Sequence, residues 1–341
     1  MKRVYLFSRH AGEPVKVGVW QVDDDDIGRF QYQDDWLTRA DAFPLDPVHL
    51  PLQSDIYETA RKRGIFAVFE DAGPDQWGER VLAHEHPARD LGLVEKLLYA
   101  SGRGVGCLLF SASRERPKPV SAPVDWHSLT QAQEGVDRLI AGEVVSEELM
   151  HLLEPGSGLG GARPKISVTR DGRLWLAKFP RQDDTYDVPR TEFATMQLAR
   201  RAGIDTPDVE LVALPDGRAV YLIERFDQRD GTAHHYVSAN TLLGIDRVRE
   251  DDAFASMRRQ TRSATCRRNC IGAWCSTYWC GTPMTTCATT AYSSTSPAFV
   301  YPLRLILCRS CDLGMSTRSA SVLAAIVAAW KIVVGMPPDS H

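Results

Sequence analysis

The segment Pro155-Gly-Ser-Gly-Leu-Gly-Gly-Ala-Arg-Pro-Lys165 decides how this chain is read. Its glycines allow positive φ and close approach of the backbone to another group, and it ends on a basic residue. Successive backbone N–H groups in such a loop can hold phosphate oxygens. The competing reading is a solvent-exposed turn. It is not a Walker A loop, because no Gly-Lys-Ser/Thr occurs in it.

Beyond the loop, Ile166–Thr169 and Leu174–Phe179 flank the turn Asp171-Gly172, which predicts a hairpin. Pro189–Ala202 carries Phe193, Met196, Leu198 and Ala199 on one face, with Gly203 as a C-cap, which predicts an amphipathic helix. Val209–Leu214, Asp216-Gly217 and Ala219–Ile223 form a second hairpin, and Glu224-Arg225-Phe226-Asp227 follows it. On strand alternation Lys178 shares a face with Leu174 and Leu176. A charge there needs a partner, or an edge position from which it reaches water. Glu192, in the next helix, is the natural partner. A glycine loop, a strand pair with a lysine, a helix with a glutamate, two strands and a connector follow the order of a kinase N-terminal lobe. In that lobe the lysine contacts nucleotide phosphates.

Before the loop, residues 1–115 predict a small α+β domain without a catalytic cluster. Val4–Phe7, Val15–Trp20 and Ile65–Phe69 read as strands, Asp75–His84 and Leu91–Tyr99 as helices, and Gly102–Phe110 as a glycine-rich stretch ending in a strand. Residues 116–145 are a linker and a helix, with prolines in Arg114–Asp125 and helical spacing over Leu129–Ala141. Trp20, Trp36 and Trp77 are expected in the core, and His10, His84, His86 and His151 as solvated or capping residues. The run Asp23–Asp26 reads as a solvated turn, lacking the glycine and the bidentate glutamate of a calcium loop.

Four motifs make the likeness to a known family specific: Gly160-Gly-Ala-Arg-Pro-Lys165, Lys178-Phe-Pro180, Thr191–Ala199 with Gly203-Ile-Asp-Thr-Pro207, and Ile223-Glu-Arg-Phe-Asp227. In order and spacing they resemble the N-lobe motifs of HipA-type serine/threonine kinases. Phe69–Val81 and Gly102–Phe110 resemble that family's N-terminal domain. The resemblance covers residues 1–256 and implies an α+β fold: a HipA-like N-terminal domain, then a kinase-like N-lobe over residues 146–256. It implies ATP and magnesium as cofactors, a protein substrate with a Ser or Thr acceptor, and a toxin restrained by a small DNA-binding antitoxin. Carried over by position, Gly160, Gly161, Ala162, Arg163, Pro164 and Lys165 cover the phosphates. Lys178 contacts them with Glu192 beside it, and Glu224, Arg225 and Phe226 form the adenine-reading hinge. Arg163-Pro164 stands where some relatives carry Gln-Glu, so the loop's phosphate contacts stay open.

The resemblance stops where the composition breaks. Net charge is −4 with 25% charged residues, which singles out no nucleic-acid or membrane partner. Yet of 44 acidic residues, only Asp312 and Asp339 follow residue 252, and seven of eight cysteines fall between Cys266 and Cys311. The family's Asp-x-His-x-x-Asn stretch and later Tyr-Asp pair are missing there, so residues 257–341 read as an aberrant tail and the C-lobe as disrupted or missing. A zinc site is one reading of the cysteines, but Cys308-Arg-Ser-Cys311 has no second pair at the usual distance. Translation out of frame is the other. In the shifted frame Gly281–Thr290 permits Asn-Thr-Asp-Asp-His-Leu-Arg-Asn-His. The Met284–Thr285 junction forces Asp, and Trp274–Cys275 and Trp279–Cys280 each force Val. The N-terminus has no apolar run for a signal peptide. The longest apolar stretch, Val322–Val334, is 13 residues and too short to span a bilayer, so a reduced, cytoplasmic protein is expected.

Overall fold

A computed structural model describes residues 1–153, 161–201, 205–229, 232–242 and 244. The tail from residue 257, its cysteines and the C-lobe reading, together with Gly160 and the Gly203 cap, lie outside them. The described chain is α+β, as expected, in two sheet-based units.

In the first unit, β1 (Lys2–Ser8), β2 (Val15–Val22), β3 (Gly28–Tyr32), α1 (Asp34–Leu37), β4 (Tyr57–Thr59), α2 (Ala67–Asp71), α3 (Gln76–Glu85), α4 (Leu93–Tyr99) and β5 (Leu108–Ser111) follow in order. Its antiparallel sheet has the order β4-β3-β2-β1-β5. Trp20 and Trp36 are buried in an aromatic core with Phe30, Tyr32, Phe69 and Phe110. Ile65–Phe69 is not the expected strand. Ala67 begins α2, and the short apolar run suited either form until Phe66 and Phe69 turned into that core. Asp23–Asp26 is the β2–β3 turn, with Asp23 accepting from Asp25 and Ile27 N–H. His10 departs from the solvated reading. Its ring packs edge-on against Trp36 and Phe43, Nδ1 meets Ser8 Oγ and Nε2 meets Asp41.

In the second unit, β6 (Val124–Asp125) leaves the proline-rich linker and pairs in parallel with β7 (Lys165–Arg170). Between them lie α5 (Leu129–Ala141) and α6 (Glu147–Leu153). Then come β8 (Arg173–Lys178), α7 (Val188–Arg201), β9 (Val209–Ala213) and β10 (Ala219–Glu224), in the sheet order β6-β7-β8-β10-β9. Asp171 and Gly172, with φ of 51° and 73°, make the tight turn between β7 and β8 that their sequence predicts. One sheet face, with Trp175, Ala177, Phe179, Val220 and Leu222, packs on α5 and α6. The other, with Leu176, Tyr221 and Ile223, packs on Met196 of α7. After β10 come β11 (Gln228–Arg229), β12 (Thr232–Ala233) and α8 (Ala239–Leu242).

Each unit completes the other's core. Trp77 and Val81 of α3 lie in the second core, while Ala233 and Val237, from beyond β10, lie in the first. Among the described residues no helix is long and apolar enough to cross a membrane.

Candidate nucleotide site

Lys178 ends β8 on the α7 face of the sheet and is 7% exposed. In the strand register it lies opposite Tyr221 on β10 and Lys165 on β7. Two ammonium groups on directly paired residues repel each other. The fold gives each its own carboxylate. Lys178 Nζ is 2.5 Å from Glu192 Oε2 on α7, with the Tyr221 ring centroid at 5.5 Å. Lys165 Nζ is 2.5 Å from Asp75 Oδ2 and also donates to Gly161 O at 2.9 Å. Asp75 Oδ1 caps α3 by accepting from Gly78 N–H at 2.9 Å. Burial raises the Asp75 pKa, opposed by Lys165 and the Gly78 N–H.

The described end of the glycine loop, Gly161 to Pro164, leads into β7. Gly161 has φ +102° with open space where a side chain would stand, so the conformation alone calls for glycine there. Ala162 is exposed and Pro164 is buried, its carbonyl accepting from Phe179 N–H at 3.0 Å. Arg163 reaches Asp184 with both terminal nitrogens, at 2.7 and 2.9 Å, and donates to Phe179 O. Burial would raise the Asp184 pKa, but the Arg163 fork and the Arg181 N–H hold it below the usual carboxylate value.

The three residues expected at the hinge divide. Glu224 N–H bonds Asp208 O, and its carboxylate lies 3.6 Å from Arg173. Phe226 packs toward Val105 and Tyr236. The Arg225 side chain is fully buried. It grips Asp227 through Nε and Nη2 at 3.0 and 2.6 Å, and donates to Arg103 O, Gly104 O and Ser167 Oγ. A guanidinium carries five N–H donors, and these contacts use all of them. Asp227 also accepts from Gly106 N–H at 2.8 Å. Burial pulls the Asp227 pKa up, yet Arg225 outweighs this and keeps it low. Lys165, Lys178, Glu192 and Gly161 are thus brought to one end of β7 and β8, while the Arg225 side chain joins the two units. Asp75, Asp184 and Asp227 had no assigned role in the sequence. Asp227 and Asp75 stood inside quoted stretches, Ile223–Asp227 and Phe69–Val81, and Asp75, at the start of a predicted helix, also carried a capping signal; Asp184 stood in none.

A metal needs converging ligands, and among the described residues no three His, Cys, Asp or Glu side chains come together as a metal site would require. The phosphate side of ATP fits what is present: a buried, carboxylate-paired lysine beside a glycine loop. A kinase's magnesium ligands are not found among the described residues.

A two-unit α+β protein with a paired lysine beside a glycine loop is the class that these features define. Family profiles give the rest: the HipA N-terminal domain matches residues 12–111, and the HipA-like C-terminal domain matches residues 157–272. The chain belongs to the HipA family. The second match runs past residue 256, where the sequence resemblance ended. Among solved structures the chain is similar to a chain of the Shewanella oneidensis MR-1 toxin–antitoxin system HipA, HipB and its operator DNA complex. The TM-score is 0.59 at 16% identity, over 98% of this chain and 85% of that one. At this identity the likeness speaks for the fold. A search of curated protein sequences returns no match.

Proposed function

We infer that this chain is the nucleotide-binding part of an ATP-dependent serine/threonine kinase of HipA type, the toxin of a toxin–antitoxin pair acting in the cytoplasm. The observation that carries the reading is the Lys178–Glu192 pair, set opposite Lys165, which itself bonds Gly161 O. Burying a lysine is costly unless it is paired, and a kinase keeps such a pair to hold the lysine toward the phosphates. In this reading the loop from Gly160 to Lys165 covers the phosphates with its backbone, Lys178 contacts them, and the backbone of Glu224, Arg225 and Phe226 borders the adenine. The protein substrate offers a Ser or Thr hydroxyl. The partner is a small DNA-binding antitoxin, by analogy with the HipB of the Shewanella assembly.

This polypeptide transfers little or no phosphate. Kinase chemistry needs a catalytic base and metal ligands, and losing such groups from a set that acts as a unit costs orders of magnitude in rate. After residue 252 the sequence offers only Asp312 and Asp339, without the family's flanking residues. The second reading follows from the same feature: a non-catalytic remnant that still holds nucleotide or an antitoxin.

Thermal melting with and without millimolar Mg-ATP tests the binding. A ligand at 100 times its Kd adds about 2.7 kcal/mol of stability, so a rise in Tm that is lost in Lys178→Ala is expected. No rise for the parent chain would end the nucleotide reading. Autophosphorylation with labelled ATP tests the chemistry. Incorporation that disappears in Lys178→Ala would overturn inactivity. Sequencing the gene around codon 256 tests the reading-frame account, which fails if neither alternative frame encodes the Asp-x-His-x-x-Asn stretch.

A further inference from the structure

Asp75 belongs to the first unit by sequence, yet its carboxylate ends at the base of the glycine loop. One oxygen caps α3 through Gly78 N–H, and the other receives Lys165 Nζ at 2.5 Å. Both side chains are almost wholly enclosed, at 4% and 2% exposure. A free ammonium there would bear a large desolvation cost, so the carboxylate is what keeps Lys165 inside. From that position Lys165 Nζ donates to Gly161 O at 2.9 Å.

This bond orients a peptide plane. A trans peptide unit carries its C=O and the next N–H on opposite sides. With Gly161 C=O held on the buried ammonium, Ala162 N–H points away from it. Were the plane reversed, a carbonyl oxygen would face any bound anion and repel it. At φ +102° Gly161 belongs to the residue type that turns most freely, so the plane needs an outside hold.

We propose that Asp75 is a positioning residue for nucleotide binding: through Lys165 it fixes the Gly161–Ala162 peptide with its N–H presented to a phosphate oxygen. The inference rests on the nucleotide reading above and deepens it, because it makes the first unit a part of the phosphate site. Asp75 itself touches no nucleotide and acts only through Lys165. Lys165 acts from inside the protein, which leaves Lys178 as the lysine that meets the phosphates.

The test uses the full chain in three forms: parent, Asp75→Asn, and the double variant Asp75→Asn with Lys165→Met. Asn keeps the helix cap. Met keeps the aliphatic stem and leaves no unpaired charge, and replacing a buried ion pair by neutral groups is often tolerated. The double variant is therefore expected to melt near the parent. Two measurements follow. Hydrogen exchange without nucleotide should show the Ala162 and Arg163 amides exchanging at least about tenfold faster in the double variant, with the amides of β7 and β8 unchanged. The Mg-ATP dissociation constant should rise about tenfold, the size of one lost hydrogen bond. A stably folded double variant with unchanged loop exchange, or one that binds Mg-ATP as tightly as the parent or more tightly, overturns the proposal. A parent that binds no Mg-ATP while its loop amides still respond to the double substitution defeats the nucleotide reading alone and leaves the fastening of the loop in place.

Discussion

At the scale of single residues, the buried charges make unequal demands. Arg225 spends every N–H on a partner inside the protein, and Asp227 depends on it. Arg225→Lys keeps the charge but loses the fork, and leaves backbone carbonyls and part of Asp227 unsatisfied. A loss of about 3–5 kcal/mol is expected, read as a lowered urea midpoint. Glu224→Ala, by contrast, removes only a loose ion pair at 3.6 Å and should cost less than about 1 kcal/mol. His235 supplies a pH dependence. It is fully buried, Nε2 donates to Leu45 O at 2.8 Å, and burial lowers its pKa from 6.5 to about 4. Between these values the unfolded chain binds a proton that the folded chain refuses. Stability is therefore full above pH 6.5 and falls as the pH drops toward 4. The loss approaches about 3 kcal/mol from this one group. Melting curves at pH 7 and pH 5 should show the drop, and His235→Gln should flatten it.

At the scale of elements, close backbone approach sets the tolerance of the first sheet. A Cβ built on Gly28 would stand 1.9 Å from Gly64 O, a backbone atom that cannot swing aside. Trp20 Nε1 also donates to Gly64 O at 2.9 Å, so the turn is held from two sides. Gly28→Ala must push β3 off that turn. The expected result is a loss of more than about 3 kcal/mol or an insoluble product, measured by soluble yield and thermal melting. The second sheet has freer positions. Gly217, in the β9–β10 turn with φ +84°, has open space around it, so replacing it costs only the backbone conformation. Gly217→Ala should therefore lower stability by about 1 kcal/mol without changing the fold.

At the scale of the whole molecule, the two units cannot be separated at the linker. Residues 1–115 contribute Trp77 and Val81 to the other core, and their own core lacks Ala233 and Val237 when cut off. The cut also removes the Ser238 N–H and the Thr241 hydroxyl that bond the buried Asp71. A fragment of residues 1–115 is expected to be unstable, with dispersed-to-collapsed NMR amide signals, while the fragment extended to residue 244 should give a cooperative melt. A cooperative melt of the short fragment would show that the exchanged core residues are dispensable.

Local pattern was enough for most elements. The β7–β8 hairpin, α5, α7 and the β9–β10 hairpin were legible because period, turn residues and caps act over a few neighbours. The Lys178–Glu192 pair was legible for a related reason: a charge on an apolar strand face demands a partner, and the next helix offered one. The α2 segment was not legible, since a five-residue apolar run suits either strand or helix and Phe66 and Phe69 decided it by packing. The same holds for His10, whose surroundings come from residues 26 and 33 positions away. Within the candidate site, composition and order pointed to the loop and the lysine, and the family resemblance to the three expected hinge residues. Only the tertiary structure sent Lys165 to Asp75, Arg163 to Asp184 and Arg225 to Asp227 and the first unit. The physical reason is that a buried charge must be paired, and its partner is fixed by which distant segments the two shared cores bring within hydrogen-bond reach.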